Sequence, residues 1–426
     1  MLLSFRVANH RSLRTEQQLL LAPSSGVGTP AEADWRAVPV AGIFGPNASG
    51  KSNVIDALLY MRDLVLGSLR ESEPDGGIRR HPFALDAAAC EEPSTYVVDL
   101  LLEGVRYTYG FAVDDARVVE EWMCSYPHRR KSIIFHRKLD EYSHREPSQS
   151  TVQEITASNV LYLSVAARTK QVLVRPVYDW FAGVLSRKAT GLRVPGGNGD
   201  LKVMDDLGLL GRLAALLQAV DTGIELAEET QSEPDRLSTC MDSPDGHPLA
   251  ADKYMIFRHR ARDGTFALRW RDQSLGTRVL FEICLPILLS LDRGTPLLVD
   301  ELDSSLHPYL SARLIRLFAD PSTNPRGAQL VFTSLDVTLL GRIQGEEVLG
   351  RDHVWFTEKD EYGVTELFAL SGFETREEES WGRRYLAGRC GAVPVVDDDL
   401  FAAALATRAE GDDDGVSGAR GQEGRR

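Results

Sequence analysis

Eight consecutive residues in the first part of the chain could bind a polyphosphate. The run Gly45-Pro46-Asn47-Ala48-Ser49-Gly50-Lys51-Ser52 fills every fixed position of the pattern G-x-x-x-x-G-K-[ST]. Its glycines let backbone N–H groups turn toward an anion, Lys51 would reach the outer phosphates, and the Ser52 hydroxyl would hold Mg²⁺. The sequence therefore predicts a nucleotide-binding loop. The competing interpretation is an ordinary Gly-rich turn between a strand and a helix.

Two adjacent carboxylates form a second candidate group. Asp300 and Glu301 directly follow the apolar segment Pro296–Val299. At the end of a buried strand, Asp300 is suited to position Mg²⁺, and Glu301 is suited to polarise an attacking water as a general base. The alternative is that both acids only cap the helix that follows.

A polar turn supplies a third candidate group. Ser274-Leu275-Gly276-Thr277 precedes a helical pattern over residues 278–291. A helix N-terminus attracts anions, but a turn of this composition is more often a simple cap. The carboxylates at 300 and 301 give the turn its weight as a candidate phosphate contact.

The apolar pattern around these groups predicts the elements that must position them. Residues 38–44, 296–299 and 329–333 suit buried parallel strands, and the residues after Gly50 repeat at helical spacing. Segments 96–102, 106–113, 118–126 and 132–137 alternate as an antiparallel meander, and the period from 157 to 229 is helical. The predicted fold class is α/β, with a P-loop core of mixed sheet and flanking helices, an antiparallel β subdomain and an inserted helical region. The predicted divisions are 1–150 for an N-terminal lobe with the P-loop and the meander, 151–250 for the insertion, 251–396 for the C-terminal lobe and 397–426 for a disordered acidic tail.

Composition excludes several classes of protein. The five cysteines contain no C-x-x-C pair, which argues against a disulfide framework and a zinc site. No apolar run approaches the roughly 20 residues of a membrane span, so we expect a cytoplasmic protein. The net charge of −14 disfavours nucleic acid unless basic residues cluster. One such cluster, His128–Lys131 with Arg137 and Lys138, is read either as a solvated edge or as a contact with nucleic acid or an acidic partner.

Together these motifs resemble the ATP-binding cassette superfamily in its RecF and SMC-like branch, and more closely the RloA-type and abortive-infection ATP-binding proteins of bacteria. The residues that carry the resemblance are Asn9–Ser12, Gly45–Asn53, Ser274–Thr277, Leu297–Pro308, Val354–Asp360 and Tyr385–Pro394.

The resemblance implies an ABC-type ATPase that binds ATP and Mg²⁺. The nucleotide contacts it implies are Arg11, Gly45, Pro46, Asn47, Ala48, Ser49, Gly50, Lys51, Ser52, Asn53, Ser274, Gly276 and Thr277, with Ser52 and Asp300 on the metal and Asp300, Glu301 and Lys51 as catalytic residues. It also implies a head-to-tail homodimer in which ATP lies between Lys51 of one chain and Ser274 of the other. A separately encoded effector, such as an RloB-like protein, would serve defence against phage. A RecF-like DNA-end-binding ATPase and a scaffold that holds ATP without hydrolysing it remain alternatives.

One position departs from the resembled family. Its members usually carry a histidine on the γ-phosphate after the last core strand, and this chain has Leu335 there. Leucine cannot donate to phosphate or steady the attacking water. The sequence therefore predicts slow hydrolysis.

We predict that Leu335→His raises the steady-state ATPase rate by about 10²-fold, because it restores one donor to the transition state. Glu301→Gln should abolish turnover and serves as the control for contaminating ATPases. Brisk wild-type turnover that does not change in Leu335→His would contradict the assignment of position 335.

Overall fold

The structure is a computed structural model that describes residues 1–23, 37–73, 76–144, 150–169, 171–187, 208–220, 223–231, 253–269, 272–373, 380–394, 398–400 and 402–404. Residues Met1–Ala392 form one compact unit, and Val393–Arg426 form a second. Most of the predicted disordered tail therefore lies outside the described residues. Within the described ranges, no helix combines the length and apolarity needed to cross a membrane.

The described residues form eighteen β-strands and nine α-helices. The strands are β1 (Leu2–Ala8), β2 (Gln17–Leu20), β3 (Val40–Phe44), β4 (Ser94–Leu102), β5 (Val105–Val113), β6 (Val118–Tyr126), β7 (Ser132–Lys138), β8 (Glu141–His144), β9 (Leu185–Arg187), β10 (Ile224–Gln231), β11 (Lys253–Ala261), β12 (Gly264–Arg269), β13 (Pro296–Val299), β14 (Gln329–Ser334), β15 (Arg342–Ile343), β16 (Glu346–Glu347), β17 (Val354–Lys359) and β18 (Thr365–Ala369). The α-helices are α1 (Lys51–Glu71), α2 (Ala87–Glu91), α3 (Ser150–Glu154), α4 (Tyr162–Ala166), α5 (Arg175–Gly183), α6 (Leu209–Val220), α7 (Leu275–Arg293), α8 (Pro308–Ala319) and α9 (Trp381–Leu386).

Two large sheets organise the described part of the chain. One is antiparallel, with the order β2-β1-β4-β5-β6-β7-β8, and contains the predicted meander. The other is mixed, with the order β18-β17-β3-β14-β13-β9. Helices flank the mixed sheet, so the predicted fold class, an α/β ATPase core with a separate antiparallel β subdomain, is confirmed.

The predicted helical insertion is wrong in two places. Residues 185–187 form β9, which pairs in parallel with β13 at the edge of the mixed sheet. Residues 224–231 form β10, which pairs with β11 in a smaller antiparallel sheet. The helical period is correct for α4, α5 and α6. β9 has only three residues, too few for a strand period to be distinguished from a helix, and β10 is rich in the helix-favouring residues Leu, Ala and Glu. The mixed sheet therefore takes strands from all three predicted segments.

Parallel pairing brings the ends of the core strands together. β3 pairs with β14, and β14 pairs with β13, all in parallel. In an open parallel sheet, ligands bind outside the carboxyl ends of the strands. The segments that follow these three strands are the loop at Gly45, the acids at Asp300 and the position of Leu335, so the sheet gathers all three at one edge.

Helix α1 lies within the main hydrophobic core. The core cluster combines α1 residues such as Leu58 and Met61 with residues of both large sheets, including Phe5 and Val331. Buried Gln329 connects the two sheets directly. Its amide Nε2 donates to Leu2 O at 2.9 Å, and its Oε1 accepts from Leu2 N at 2.6 Å. The first helix after the loop is thereby held from both sides.

Arg137 does not belong to the exposed basic cluster. Its side chain is 1% exposed, and its guanidinium donates to the carbonyl oxygens of residues 139, 157, 158 and 160 at 2.7–3.2 Å. Buried Glu121 accepts from the N–H groups of Tyr162 and Leu163 at the start of α4. Burial raises the pKa of Glu121, and the charge of Arg137 acts in the opposite direction. Arg137 therefore stabilises the β subdomain, and its buried guanidinium is not available to a binding partner.

We predict that Arg137→Met lowers the free energy of unfolding by about 3–5 kcal/mol, because four carbonyls lose a donor and the Glu121 carboxylate loses its nearby cation. Lys138→Met, at the exposed next position, should change it by no more than about 0.5 kcal/mol. Denaturant titration of both variants makes the comparison. Equal stabilities would show that the buried guanidinium is dispensable.

Candidate functional site

The loop at residues 45–52 is preorganised by its lysine and its backbone. Lys51 is 7% exposed, and its ammonium donates to Gly45 O and Pro46 O, each at 2.8 Å. Gly45, Ala48 and Gly50 have φ of 151°, 62° and 101°. Alternation between left-handed and ordinary conformations turns successive N–H groups into one concavity, which favours an anion. Helix α1 begins at Lys51 and directs its positive end at the same place.

One carboxylate oxygen of Asp300 joins the loop to the neighbouring strands. Asp300 Oδ1 accepts from Ser52 Oγ at 2.9 Å and from Thr333 Oγ1 at 2.7 Å. Thr333 Oγ1 also accepts from the Glu301 N–H at 2.7 Å. A single threonine hydroxyl therefore sets the position of both acids.

Thr333 is a site residue for which the sequence predicted no role. The register of β13 against β14 pairs Val299 with Phe332, which places the next residues, Asp300 and Thr333, side by side. A hydroxyl at the end of an otherwise apolar strand was the available signal. Its partner could be identified only from the strand pairing.

Glu301 has an unfavourable backbone conformation. Its φ is 53°, a left-handed conformation that is unfavourable for a residue with a Cβ, and its side chain is exposed. Backbone strain of this kind persists only where surrounding contacts impose it. The hydrogen bond to Thr333 and the bond from Leu302 N to Thr333 O at 3.0 Å supply those contacts.

Arg11 reaches the loop from the segment between β1 and β2. Its Nε donates to Asp56 Oδ2 at 2.6 Å, and both residues line a cavity of about 200 Å³ together with Ser52, Asn53, Ile55 and Asp300. Buried His10 lies 3.1 Å from the same carboxylate oxygen and 2.8 Å from the Tyr96 hydroxyl. The pKa of His10 is lowered, because the effect of burial exceeds the opposite effect of the Asp56 carboxylate. A neutral ring then donates from Nε2 to Asp56 and accepts at Nδ1 from Tyr96.

The structure places the Ser274 group beside a different loop. Ser274 Oγ accepts from Thr277 N at 3.1 Å and caps α7. A Cβ built on Gly276 would lie 3.7 Å from the Ser305 carbonyl oxygen, so the group sits next to the turn at 303–305. Ser274 and Leu275 are exposed, and Thr277 is buried.

Leu335 directly follows the last residue of β14 and is 45% exposed. Its backbone N–H donates to Asp303 Oδ2 at 3.3 Å. The side chain therefore projects at the same sheet edge as the two acids, where it contributes no hydrogen-bonding group.

The electrostatics of this edge suit a divalent cation. Burial lowers the pKa of Lys51, while the carboxylates of Asp300, Asp303 and Glu301 act to raise it. The Ser52 hydroxyl and Asp300 carboxylate are hard oxygen donors less than 3 Å apart, as Mg²⁺ prefers when phosphates and water complete its coordination. These residues fit a magnesium ion.

Comparison with known proteins gives one family match. A family model described as "AAA domain, putative AbiEii toxin, Type IV TA system" matches residues 40–156 and 200–340, more than half of the chain. The chain belongs to this family. This AAA-domain protein is therefore a P-loop ATPase related to abortive-infection proteins, and the resemblance found in its sequence is confirmed. No curated protein matches it in sequence.

Three solved structures are similar to this AAA-domain protein at low sequence identity. The SMC head domain from Thermotoga maritima is 14% identical, with a TM-score of 0.42 over 88% of this chain and 99% of that chain. An SMC head bound to the C-winged helix domain of ScpA is 12% identical, with a TM-score of 0.44 over 86% of this chain and 97% of that chain. An SMC head derived from Pyrococcus yayanosii is 10% identical, with a TM-score of 0.41 over 86% and 96%.

We predict that Thr333→Val lowers the ATPase kcat of this AAA-domain protein about tenfold or more, because Asp300 and Glu301 both lose the hydroxyl that positions them. Thr333→Ser keeps the hydroxyl and should retain most of the activity. Initial-rate measurements at saturating Mg²⁺-ATP make the test. A valine variant as active as the serine variant would contradict this role.

Proposed function

We propose that the protein is an ATP-gated homodimeric switch: Mg²⁺-ATP bound at residues 45–53 closes two copies together, and slow hydrolysis separates them. The observation that carries the proposal is the shared Asp300 oxygen, which holds the Ser52 hydroxyl and the Thr333 hydroxyl at one sheet edge. That arrangement sets a metal-binding pair beside a phosphate-binding loop and a general base.

The residues divide the chemistry among themselves. The loop N–H groups and Lys51 bind and orient the phosphates. Arg11 adds a positive charge from the segment between β1 and β2. Glu301 holds the attacking water and takes its proton. When bound at Ser52 and Asp300, Mg²⁺ supplies charge neutralisation on the phosphate oxygens. Leu335 adds no donor to the γ-phosphate, which supports slow turnover and a long-lived ATP-bound state.

The exposure of key groups supports a dimer. Glu301 is exposed, so in one copy its water would exchange freely with solvent, whereas catalysis of this kind works best in a water-excluded site. Ser274 is also exposed, at the N-terminus of a 19-residue helix with anion-attracting N–H groups. In a twofold dimer each copy would cover the other's loop with its own Ser274 and Gly276. Exposed Leu275 offers apolar area to the same contact.

We place the switch in bacterial antiphage defence, with a separate effector such as an RloB-like protein. The support is the family description, which names a toxin of a type IV toxin–antitoxin system and the AbiEii group. In this proposal the ATP-bound dimer is the state that the effector recognises.

A DNA-binding ATPase is the second candidate. The exposed residues His128, Arg129, Arg130 and Lys131 favour it, and two of them hold left-handed conformations in the turn before β7. The net charge of −14 opposes it, and the burial of Arg137 removes one cation from the cluster. The switch therefore remains the preferred function.

We predict that Mg²⁺-ATP doubles the molar mass of Glu301→Gln measured by light scattering, from the 47.1 kDa of one chain. This variant binds ATP without consuming it, so the closed state accumulates. Adding Ser274→Arg should keep the protein monomeric, because a bulky cation would occupy the contact.

Ser143→Arg in the same Glu301→Gln background is the matched control, since Ser143 is exposed on β8 in the other sheet. Calorimetry on each variant separates the two parts of the proposal. ATP binding with an unchanged mass would overturn the dimer, and absence of ATP binding would overturn the whole function.

A further inference from the structure

We infer that Thr357 and Thr365, on the β17–β18 hairpin, are positioning residues that hold the phosphate-binding loop in its anion-binding conformation. This inference rests on the proposed function for its meaning. The family model ends at residue 340, so the hairpin lies beyond the matched ranges. Both threonines are fully buried, Thr365 on the edge strand β18 of the mixed sheet and Thr357 on β17, which lies between β18 and β3.

Thr365 links the two ends of the loop's last turn. Its Oγ1 lies 2.8 Å from Ser49 O and 2.7 Å from Ser12 Oγ, and Asn53 Nδ2 donates to Ser12 Oγ at 2.6 Å. The Thr365 hydroxyl is the donor in both of its contacts and is shared between Ser12 Oγ and the Ser49 carbonyl, and Ser12 Oγ also accepts from Asn53. This chain ties the carbonyl before Gly50 to the first turn of α1.

Thr357 holds the other side of the loop. Its Oγ1 lies 2.6 Å from Ser49 Oγ and 3.4 Å from the Phe44 carbonyl oxygen. Ser49 can donate to Thr357 and Thr357 to the Phe44 carbonyl, which gives each of these two hydroxyls one acceptor. Ser49 is therefore held through its side chain by β17 and through its carbonyl by β18.

The two threonines also explain both glycines of the loop. A Cβ built on Gly45 would lie 2.4 Å from Thr357 O, and one built on Gly50 would lie 2.2 Å from Thr365 Oγ1. Positive φ already disfavours a side chain at each position. The close approach of the hairpin adds a second requirement, since any Cβ would push the hairpin away from the loop.

The hairpin is itself anchored to the N-terminal lobe. Thr365 N donates to Ser12 O at 2.7 Å, and Leu367 N donates to Gln17 Oε1 at 2.8 Å. Ser12 follows Arg11, which lines the cavity beside Ser52. The hairpin therefore connects the loop to the segment that carries Arg11, and its hydroxyls set the spacing between them.

The test measures the loop directly, without nucleotide, by hydrogen–deuterium exchange of peptides covering residues 44–55 in the full-length protein. Thr365→Val should speed their exchange about tenfold, because Ser49 O and Ser12 Oγ lose a buried partner. Thr365→Ser keeps the hydroxyl and should match wild type. Thr357→Val should act in the same direction, and Ser12→Ala breaks the same chain at a half-buried position should Thr365→Val not fold.

Thr108→Val is the control for the loss of a buried threonine hydroxyl elsewhere, because Thr108 donates to Asp99 in the antiparallel sheet. Thr108→Val should leave the exchange rate of residues 44–55 unchanged. Calorimetry with Mg²⁺-ATP should show about tenfold weaker binding for Thr365→Val and wild-type binding for Thr365→Ser.

The outcomes separate the two ideas. Unchanged exchange of residues 44–55 in both Thr365→Val and Ser12→Ala overturns the inference, whatever the protein binds. Faster exchange in Thr365→Val, combined with a wild-type protein that binds no ATP, overturns the proposed function and leaves the positioning role standing.

Discussion

A single carboxylate oxygen, Asp300 Oδ1, connects the parts of this site that come from distant stretches of chain. It accepts one hydroxyl from the helix that follows the loop and one from the neighbouring strand. Both bonds exist because β3, β14 and β13 run in parallel and end at the same edge. If the strand pairing slipped by one residue, Asp300 and Thr333 would no longer lie side by side, and Glu301 would lose the contact that fixes its backbone.

Part of the backbone strain among the described residues lies at that end of the sheet. Of the eleven described residues with a Cβ and positive φ, Arg11, Ala48 and Glu301 belong to the site. Left-handed backbone at such residues costs free energy that the rest of the fold must offset. The large core around α1 and the buried contacts of Gln329 and Arg137 provide that support. The site is thus held in shape before any ligand arrives, which reduces the ordering that binding would require.

Much of the fold could be predicted because its signals are local. The strand of residues 40–44, the helix from Lys51 and the four-stranded meander all appear where their periods place them. The errors fell on β9, which has only three residues, and on β10, which is rich in helix-favouring Leu, Ala and Glu. The basic cluster shows the same limit, since the charge of Arg137 is visible in the sequence but its burial depends on carbonyls about 20 residues away.

The sequence by itself determined the chemistry that is available: a loop with the phosphate-binding pattern, two acids at a strand end and an apolar side chain, Leu335, directly after β14. Those signals are short, and each residue type has few roles that its chemistry allows. Only the tertiary structure decided which groups act together. Thr333, Thr357, Thr365 and Asp56 are ordinary residues in a linear reading. They become part of the site because sheet pairing and burial bring their hydroxyls and carboxylate within 3 Å of partners as many as 316 residues away.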